Sequence, residues 1–452
     1  MDRFMNPKSV AVIGASGDPR KGGYALVSNL KERFPERLYP INPGASEVCG
    51  LAAFRSVTDL PETVDLAVVF IPAAAVPEVM KACGEKGITR IMIQSAGFAE
   101  TGPRGLALQE ACVQVAGKYG MRVWGPNCMG VVNGRTGMVA SFMKPDIWRG
   151  HLEPGKVSLI VQSGMLSAGF LIQILKEGYF GLSKACSIGN RCDVNESDLL
   201  EYFTEDSETE VIAMYLESIS DVPRFRNAVS RLRKPVILLK GGTSLEGAVA
   251  AQSHTGSLAG SARLTEGFLR QMKIHRATDF FEMMDLTRSL ALWQGKKGGR
   301  RVGIVSFSGA SGIVAADHLS RWGMSLASLS KETISTLQTI FPPWMAPRNP
   351  VDIWPAIERA GLNAYGIAVK SVLADPEVDA VYLHLYVDMN VLREEGESLQ
   401  VLKGAPKPAA VWIIGDPQCF REFRDKVEPL GVPVFTELGR GARALSLAMV
   451  EA

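Results

Sequence analysis

The sequence has no long apolar run, no excess of one charge and no paired-cysteine motif, and each absence excludes a class of protein. Its 452 residues carry 49 Lys and Arg against 47 Asp and Glu. A net charge of +2 offers no global basic surface of the kind that displaces counterions from nucleic acid. Nucleic acid is therefore not an expected partner. The most apolar stretch, residues 64–80, is broken by Asp65, Pro72, Pro77 and Glu78, whereas a membrane span needs about 20 predominantly apolar residues. Residues 1–7 contain no apolar signal region, so a cytoplasmic protein without membrane association is expected. Cys49, Cys83, Cys112, Cys128, Cys186, Cys192 and Cys419 are scattered and form no Cys-x-x-Cys pair. Zinc-knuckle and redox-motif readings fall away, and no metal site is expected on this chain.

What is present is a globular composition, 46% hydrophobic and 21% charged. At roughly 150 residues per domain, the length suggests about three domains. Short β-branched runs alternate with helical patterns, the signature of parallel sheets built from strand–helix–strand units. A first series predicts strands near 9–13, 37–41, 66–71, 90–94 and 122–124, with helices near 24–34, 75–86 and 105–118. Residues 134–156 read as a loop-like passage. A second series has strands near 157–161, 184–187, 211–216 and 236–239, and ends near Trp293 before a basic linker at 295–301. A third begins at Arg301 and continues near 380–387, 409–414 and 433–435. The expectation is an α/β chain of three tandem domains, residues 1–133, 134–295 and 300–452.

The first strand runs into Gly14-Ala15-Ser16-Gly17, with Lys21 before the next helix. Such a turn lets backbone N–H groups approach an anion at a helix N-terminus. A dinucleotide site places Asp or Glu at the tip of the following strand to hold ribose hydroxyls. Here that tip reads Leu38-Tyr39-Pro40-Ile41-Asn42-Pro43, without an acid, and the glycine spacing departs from Gly-x-Gly-x-x-Gly. Both features count against a nicotinamide dinucleotide and against an NAD-dependent oxidoreductase. Further loops follow at predicted strand ends: Ile71-Pro72-Ala73, Ser95-Ala96-Gly97-Phe98-Ala99-Glu100 and Gly125-Pro126-Asn127-Cys128-Met129-Gly130. Carboxyl ends of strands are where open α/β sheets bind ligands.

These five loops, in this order, resemble the α-subunit of the NDP-forming acyl-CoA synthetases, the group that includes ADP-forming acetyl-CoA synthetase and succinyl-CoA synthetase. The resemblance implies a Rossmann-like CoA-binding sheet followed by two flavodoxin-like parallel sheets. It implies coenzyme A contacts at Gly14, Ala15, Ser16, Gly17, Lys21, Asn42, Pro43, Ile71, Pro72, Ser95, Ala96, Glu100, Asn127 and Cys128. Lys21 would face the CoA phosphates, although a solvated surface lysine is the competing reading, and the 125–130 loop would lie near the thiol. Cys128 has no predicted base beside it and reads as a loop residue, not a nucleophile.

Of the five histidines, His151, His275, His318 and His384 have ordinary structural settings, whereas His254 sits in Gln252-Ser253-His254-Thr255-Gly256-Ser257 among small residues that leave room around the ring. A phosphoryl group accepted there needs space and N–H donors at a helix start. The turn Gln162-Ser163-Gly164 after the strand at 157–161 offers one, or else is a simple capped helix start. By the same resemblance His254 is the phosphohistidine, Ser163, Gly164, Thr255 and Gly256 bind phosphate, and Glu217 holds the imidazole. A carboxylate on one ring nitrogen fixes the tautomer in which the other attacks phosphorus; a surface carboxylate at a strand end is the alternative for Glu217.

Residues 302–452 resemble the family's second flavodoxin-like ligase region, through Arg348-Asn349-Pro350-Val351-Asp352 and the turn Ser306-Phe307-Ser308-Gly309-Ala310-Ser311-Gly312. That turn departs from the usual Asn-Ala-Gly-Gly-Pro-Gly. Asn349 and Asp352 read equally as pocket residues or as an ordinary turn. No ATP-grasp module and no Walker-type phosphate loop is present. The implied reaction interconverts acyl-CoA, phosphate and ADP with carboxylic acid, CoA and ATP, using Mg²⁺ and ADP or ATP on an ATP-grasp β-subunit in a hetero-oligomer such as α2β2. A CoA-binding sensor or scaffold without turnover is the alternative. Small residues near the site suit a short acid, whereas Phe341, Trp344 and Trp354 suit an aryl one.

Overall fold

The computed structural model describes residues 1–247, 249–250, 262–361, 363–389 and 398–449. It divides into two compact units, Met1–Met283 and Met284–Ala452. The first unit holds two large sheets and a two-stranded antiparallel pair, Glu47–Val48 with Leu51–Ala52, and the second unit holds one sheet.

In the first sheet, Leu38–Ile41, Val10–Ile13, Leu66–Val69, Arg90–Ile93 and Arg122–Trp124 lie side by side in that order, all parallel. Val10–Ile13 and Leu66–Val69 are buried at every position, as expected for apolar strands covered by helices on both faces. The covering helices are Gly22–Lys31, Val76–Glu85 and Pro103–Tyr119. Gly120 ends the last of these at φ 62°, a left-handed cap that glycine adopts readily. Chain connections reverse direction between Val10–Ile13 and Leu66–Val69, so a crevice opens at their carboxyl ends.

The second sheet orders His275–Ala277, Val236–Lys240, Val211–Leu216, Pro154–Val161, Leu182–Ser187, Gly130–Asn133 and Met138–Ala140. Its last two strands run antiparallel to their neighbours. The sequence reading assigned residues 130–133 to the first domain and 134–156 to a loop. The structure instead places Gly130–Asn133 and Met138–Ala140 as an antiparallel edge of the second sheet. The reason is local: Gly134 and Gly137 flank a tight turn, and Val131, Val132, Met138 and Ala140 are all nearly fully buried. A shared core runs from Phe4 and Trp124 through Val131 to Ile160 and Leu199. Ile160 and Ile212, among others, fill the centre of this sheet, and Asn195 caps the helix Glu196–Glu205 through a reciprocal box with Asp198.

The second unit carries the sheet Ser325–Leu326, Arg301–Ser306, Ala380–Val387, Ala409–Gly415 and Val434–Phe435, with Val351–Asp352 paired beside Arg301–Ser306. The chain is thus α/β, with three parallel-dominated sheets.

The first glycine turn is fixed by packing as well as by conformation. Gly14 adopts φ 93°, and a Cβ on Gly23 would lie 2.0 Å from Gly14 O. Gly23→Ala is expected to lower stability by about 2 kcal/mol through overpacking; chemical denaturation of the two proteins checks it.

Candidate functional site

A cavity of about 590 Å³ opens at the switch point of the first sheet. Gly14, Ala15, Ser16, Lys21, Asn42, Pro43, Ile71 and Pro72 from the sequence reading line it. Gly17, Ser95, Ala96, Glu100, Asn127 and Cys128 are not among its lining residues. The structure adds Arg55, Ser56, Val57, Phe70, Val79 and Ala82, none of which sequence reasoning singled out. Asn42 braces the loops: its amide donates to Ala15 O at 2.8 Å and accepts from Gly44 N at 2.8 Å. Lys21 is the residue before the helix Gly22–Lys31 and is exposed. The opening therefore combines a helix start, a cation and an apolar wall, which suits a phosphorylated coenzyme with an apolar portion.

The loops that do not line the cavity are tied into a polar network behind it. Ser95 Oγ accepts from Ile71 N at 3.0 Å, and Ser95 O accepts from Asn127 N at 2.9 Å. Glu100 accepts from Gly97 N, Phe98 N and the Asn190 amide at 2.6, 3.1 and 2.6 Å. Burial alone would raise the Glu100 carboxyl; the Asn190 amide and the two backbone N–H groups outweigh it and hold it below its ordinary value. Cys128 is buried and donates its thiol to Ile93 O, and burial pushes that thiol up to about 12. Its side chain thus points into the core, which leaves the loop backbone as the part able to face a ligand.

The same loop abuts the second sheet. A Cβ on Gly164 would lie 3.8 Å from Asn127 O and 3.9 Å from Met129 N. Gly164 opens the helix Gly164–Glu177, capped by Ser163 Oγ, which accepts from Leu166 N, and its first turn carries no acid. Unopposed N–H groups at such a helix start favour an anion.

Gln162 joins this helix start to Glu217. Its side-chain oxygen accepts from Glu217 N at 2.8 Å and Ser218 N at 3.4 Å. Glu217 is 7% exposed. Its Oε1 accepts from Tyr215 Oη at 3.4 Å, while its buried Oε2 has no partner among the described residues. Burial, and then the Glu217 charge, push the Tyr215 phenol up to about 12. Lys240 donates to the backbone oxygens of Glu217 and Gly241, and burial lowers its ammonium. Arg191, with φ 59°, pairs with the fully buried Glu196 at 3.0 Å and donates to Ser218 O at 2.9 Å. Tyr215, Lys240, Arg191 and Glu196 were missed; in the sequence they are isolated polar residues, and folding alone brings them together around Glu217 and Ser218. His254, Thr255 and Gly256 lie outside the described residues.

In the second unit, Asn349 accepts from Ile304 N at 2.9 Å and donates to Val302 O and Ala327 O. Its amide is engaged in bracing the sheet, which favours the turn reading. Asp352 Oδ2 lies 2.9 Å from where a Cβ on Gly309 would sit. His384 faces Ser306 and Ser311 through Nδ1, and burial lowers its imidazole to about 3, so it knits the altered 306–312 turn as a neutral ring. Phe341 is fully buried, whereas Trp344 and Trp354 are 78% and 53% exposed, so the three do not form one lining.

Fold and geometry together define an α/β chain with a cavity at the switch point of its first sheet and a strand-end loop that lies beside a helix start free of acids. Residues 8–134 match the family described as CoA binding domain, and residues 154–290 match the succinyl-CoA ligase like flavodoxin domain. The chain is 40% identical over 381 residues to the acetate–CoA ligase [ADP-forming] II subunit alpha of Pyrococcus furiosus, covering 84% of this chain and 81% of the relative. It is 36% identical over 463 residues to the type I subunit alpha of the same organism, covering 99% and 96%. It superposes with TM-score 0.88 and 31% identity on Ca. Korarchaeum cryptofilum dinucleotide forming acetyl-coenzyme A synthetase 1 in complex with phosphate and ADP, covering 99% and 96%. The chain belongs to the α-subunit family of ADP-forming acetate–CoA ligases. It is a ligase subunit that uses coenzyme A and works with a partner subunit. Among the described residues, no helix is long and apolar enough to cross a membrane.

Two outcomes follow from this geometry. Iodoacetamide at neutral pH should leave Cys128 unlabelled in the native protein and label it after denaturation, as peptide mass mapping would show. Glu100, whose pKa is lowered on folding, adds stability that is complete above the ordinary carboxylate range and is lost as pH falls through its lowered value. The stability advantage of the wild type over Glu100→Gln should therefore shrink between about pH 5 and pH 3 in denaturant melts.

Proposed function

We propose that this chain exchanges an acyl group between coenzyme A and orthophosphate and then relays the phosphoryl group through His254. The acyl-CoA lies in the first-sheet cavity, held by the strand-end loops that include Gly14, Lys21, Asn42 and Ile71, with its thioester at the 125–130 loop. Orthophosphate sits at the Ser163–Gly164 helix start with Thr255 and Gly256. One phosphate oxygen attacks the thioester carbon, the C–S bond breaks, and CoA leaves with a proton, giving an acyl phosphate. A His254 ring nitrogen then attacks phosphorus and the carboxylate departs. The phosphohistidine finally transfers its phosphoryl group to ADP on an ATP-grasp partner subunit, where Mg²⁺ also binds, in an assembly such as α2β2. Every step reverses to make acyl-CoA at the expense of ATP.

The observation that carries this reading is Glu217 Oε2, buried and without a partner among the described residues. An unpaired buried carboxylate oxygen costs about 1–3 kcal/mol or more unless a donor reaches it. Glu217 sits beside Lys240, the residue at which the strand preceding His254 ends. An imidazole N–H arriving from that segment would satisfy the oxygen and fix the nucleophilic tautomer. Acetate, the acid named for the relatives, is the first substrate to try. We keep three domains near residues 1–133, 134–295 and 300–452, with Gly130–Asn133 handed to the second, while the compact second unit begins earlier, at Met284.

Incubating the full chain with acetyl-CoA, phosphate and Mg²⁺ should add one acid-labile phosphoryl group. His254→Ala should remove it, and Glu217→Gln should slow its formation by about 10²-fold. Intact mass and quenched-flow labelling read both. Undiminished labelling in His254→Ala would contradict the assignment.

A further inference from the structure

Two cations line the cavity, Lys21 and Arg55, and the reading so far gives no role to Arg55. Lys21 stands at the start of the helix Gly22–Lys31, next to the Gly14 turn. Arg55 lines the same cavity, is exposed, and makes no ion pair or hydrogen bond among the described residues. Nearby cations are already engaged: Arg20 with Asp18 at 2.9 Å and Arg37 with Glu62 at 2.6 Å. Asp59, the acid closest to Arg55 in the chain, accepts from Ser56 N at 3.0 Å.

Backbone pairing sets where Arg55 stands. Phe54 N donates to Pro40 O at 2.9 Å and Phe54 O accepts from Asn42 N at 2.9 Å. That pairing puts Arg55 beside the tip of the strand Leu38–Ile41, the place where a dinucleotide site carries an acid for ribose hydroxyls and where an arginine accommodates a phosphate on that ribose. The tip here has no acid to repel such a phosphate. Val57, Val79 and Ala82 line the same cavity and offer apolar surface to a purine face.

Resting on the reading that CoA occupies this cavity, we propose that Arg55 recognises the 3′-phosphate on the ribose of coenzyme A and sets the preference for CoA over its 3′-dephosphorylated form. The diphosphate then lies with Lys21 and the N–H groups of the glycine turn. Arg55 is the specificity group because its planar fork pairs two donors with one phosphate, and no neighbouring carboxylate competes for it.

Isothermal titration of the full chain with CoA, 3′-dephospho-CoA and NADP⁺ tests this, with circular dichroism to verify folding. Wild type should bind CoA about tenfold or more tightly than 3′-dephospho-CoA. Arg55→Ala should bring that ratio close to one, Arg55→Lys should restore part of it, and Lys21→Ala should weaken both ligands alike. A wild-type ratio retained in Arg55→Ala overturns the assignment, as does NADP⁺ binding as tightly as CoA. Failure of the wild type to bind either CoA form is a distinct result, and overturns the functional reading on which the assignment rests.

Discussion

The close approach of two backbone loops, residues 125–130 and 187–192, is the constraint on which the first unit depends. A Cβ on Gly189, which adopts φ 58°, would lie 2.2 Å from Pro126 O and 2.5 Å from Asn127 O. Asn190 N donates to Pro126 O at 2.9 Å and Cys192 N to Gly125 O at 3.0 Å, while Ser187 Oγ accepts from Met129 N at 3.0 Å. Only a residue without a side chain fits that contact. It docks the last loop of the first sheet onto the strand ends of the second, and this is why Asn127 lies within van der Waals reach of the Gly164 helix start. A coenzyme arm along the first sheet and an anion at the second sheet's helix, as proposed, would therefore meet.

The electrostatics around Glu217 follow from the same register. Val211–Leu216 and Val236–Lys240 pair with Leu216 opposite Lys240, so the next residue, Glu217, emerges where Lys240 can cap its carbonyl. Gln162 then fixes Glu217 by its backbone, Tyr215 holds Oε1, and Oε2 is left without a partner among the described residues. Holding the backbone while sparing one carboxylate oxygen is how a buried acid can present that oxygen to a donor without losing its orientation.

Much of this was legible in the sequence for physical reasons. Buried parallel strands such as Val10–Ile13 and Leu66–Val69 are continuous apolar runs, and their following loops carry Gly, Pro and Asn because sharp turns need them. That exposed eight of the cavity's residues. Arg55 was invisible because its place depends on Phe54 pairing with a strand tip far along the chain, in a segment with no strand period. The antiparallel strands Gly130–Asn133 and Met138–Ala140 were hidden by their glycine-rich turn, which reads as loop. Ser95, Glu100 and Asn127 were found as site loops, yet their polar atoms prove to be tied to backbone and to Asn190, a bracing role that residue type alone does not disclose.

In the proposed cycle one chain brings the CoA thioester beside the helix start that receives phosphate. A crystal structure of the full chain with acetyl-CoA and orthophosphate tests it most directly. The predicted result places phosphate on the N–H groups at the start of Gly164–Glu177, with the thioester carbon within about 4 Å of a phosphate oxygen and the pantetheine passing Asn127. Pantetheine leaving the cavity away from Asn127, or phosphate bound elsewhere with the helix start open, would contradict it.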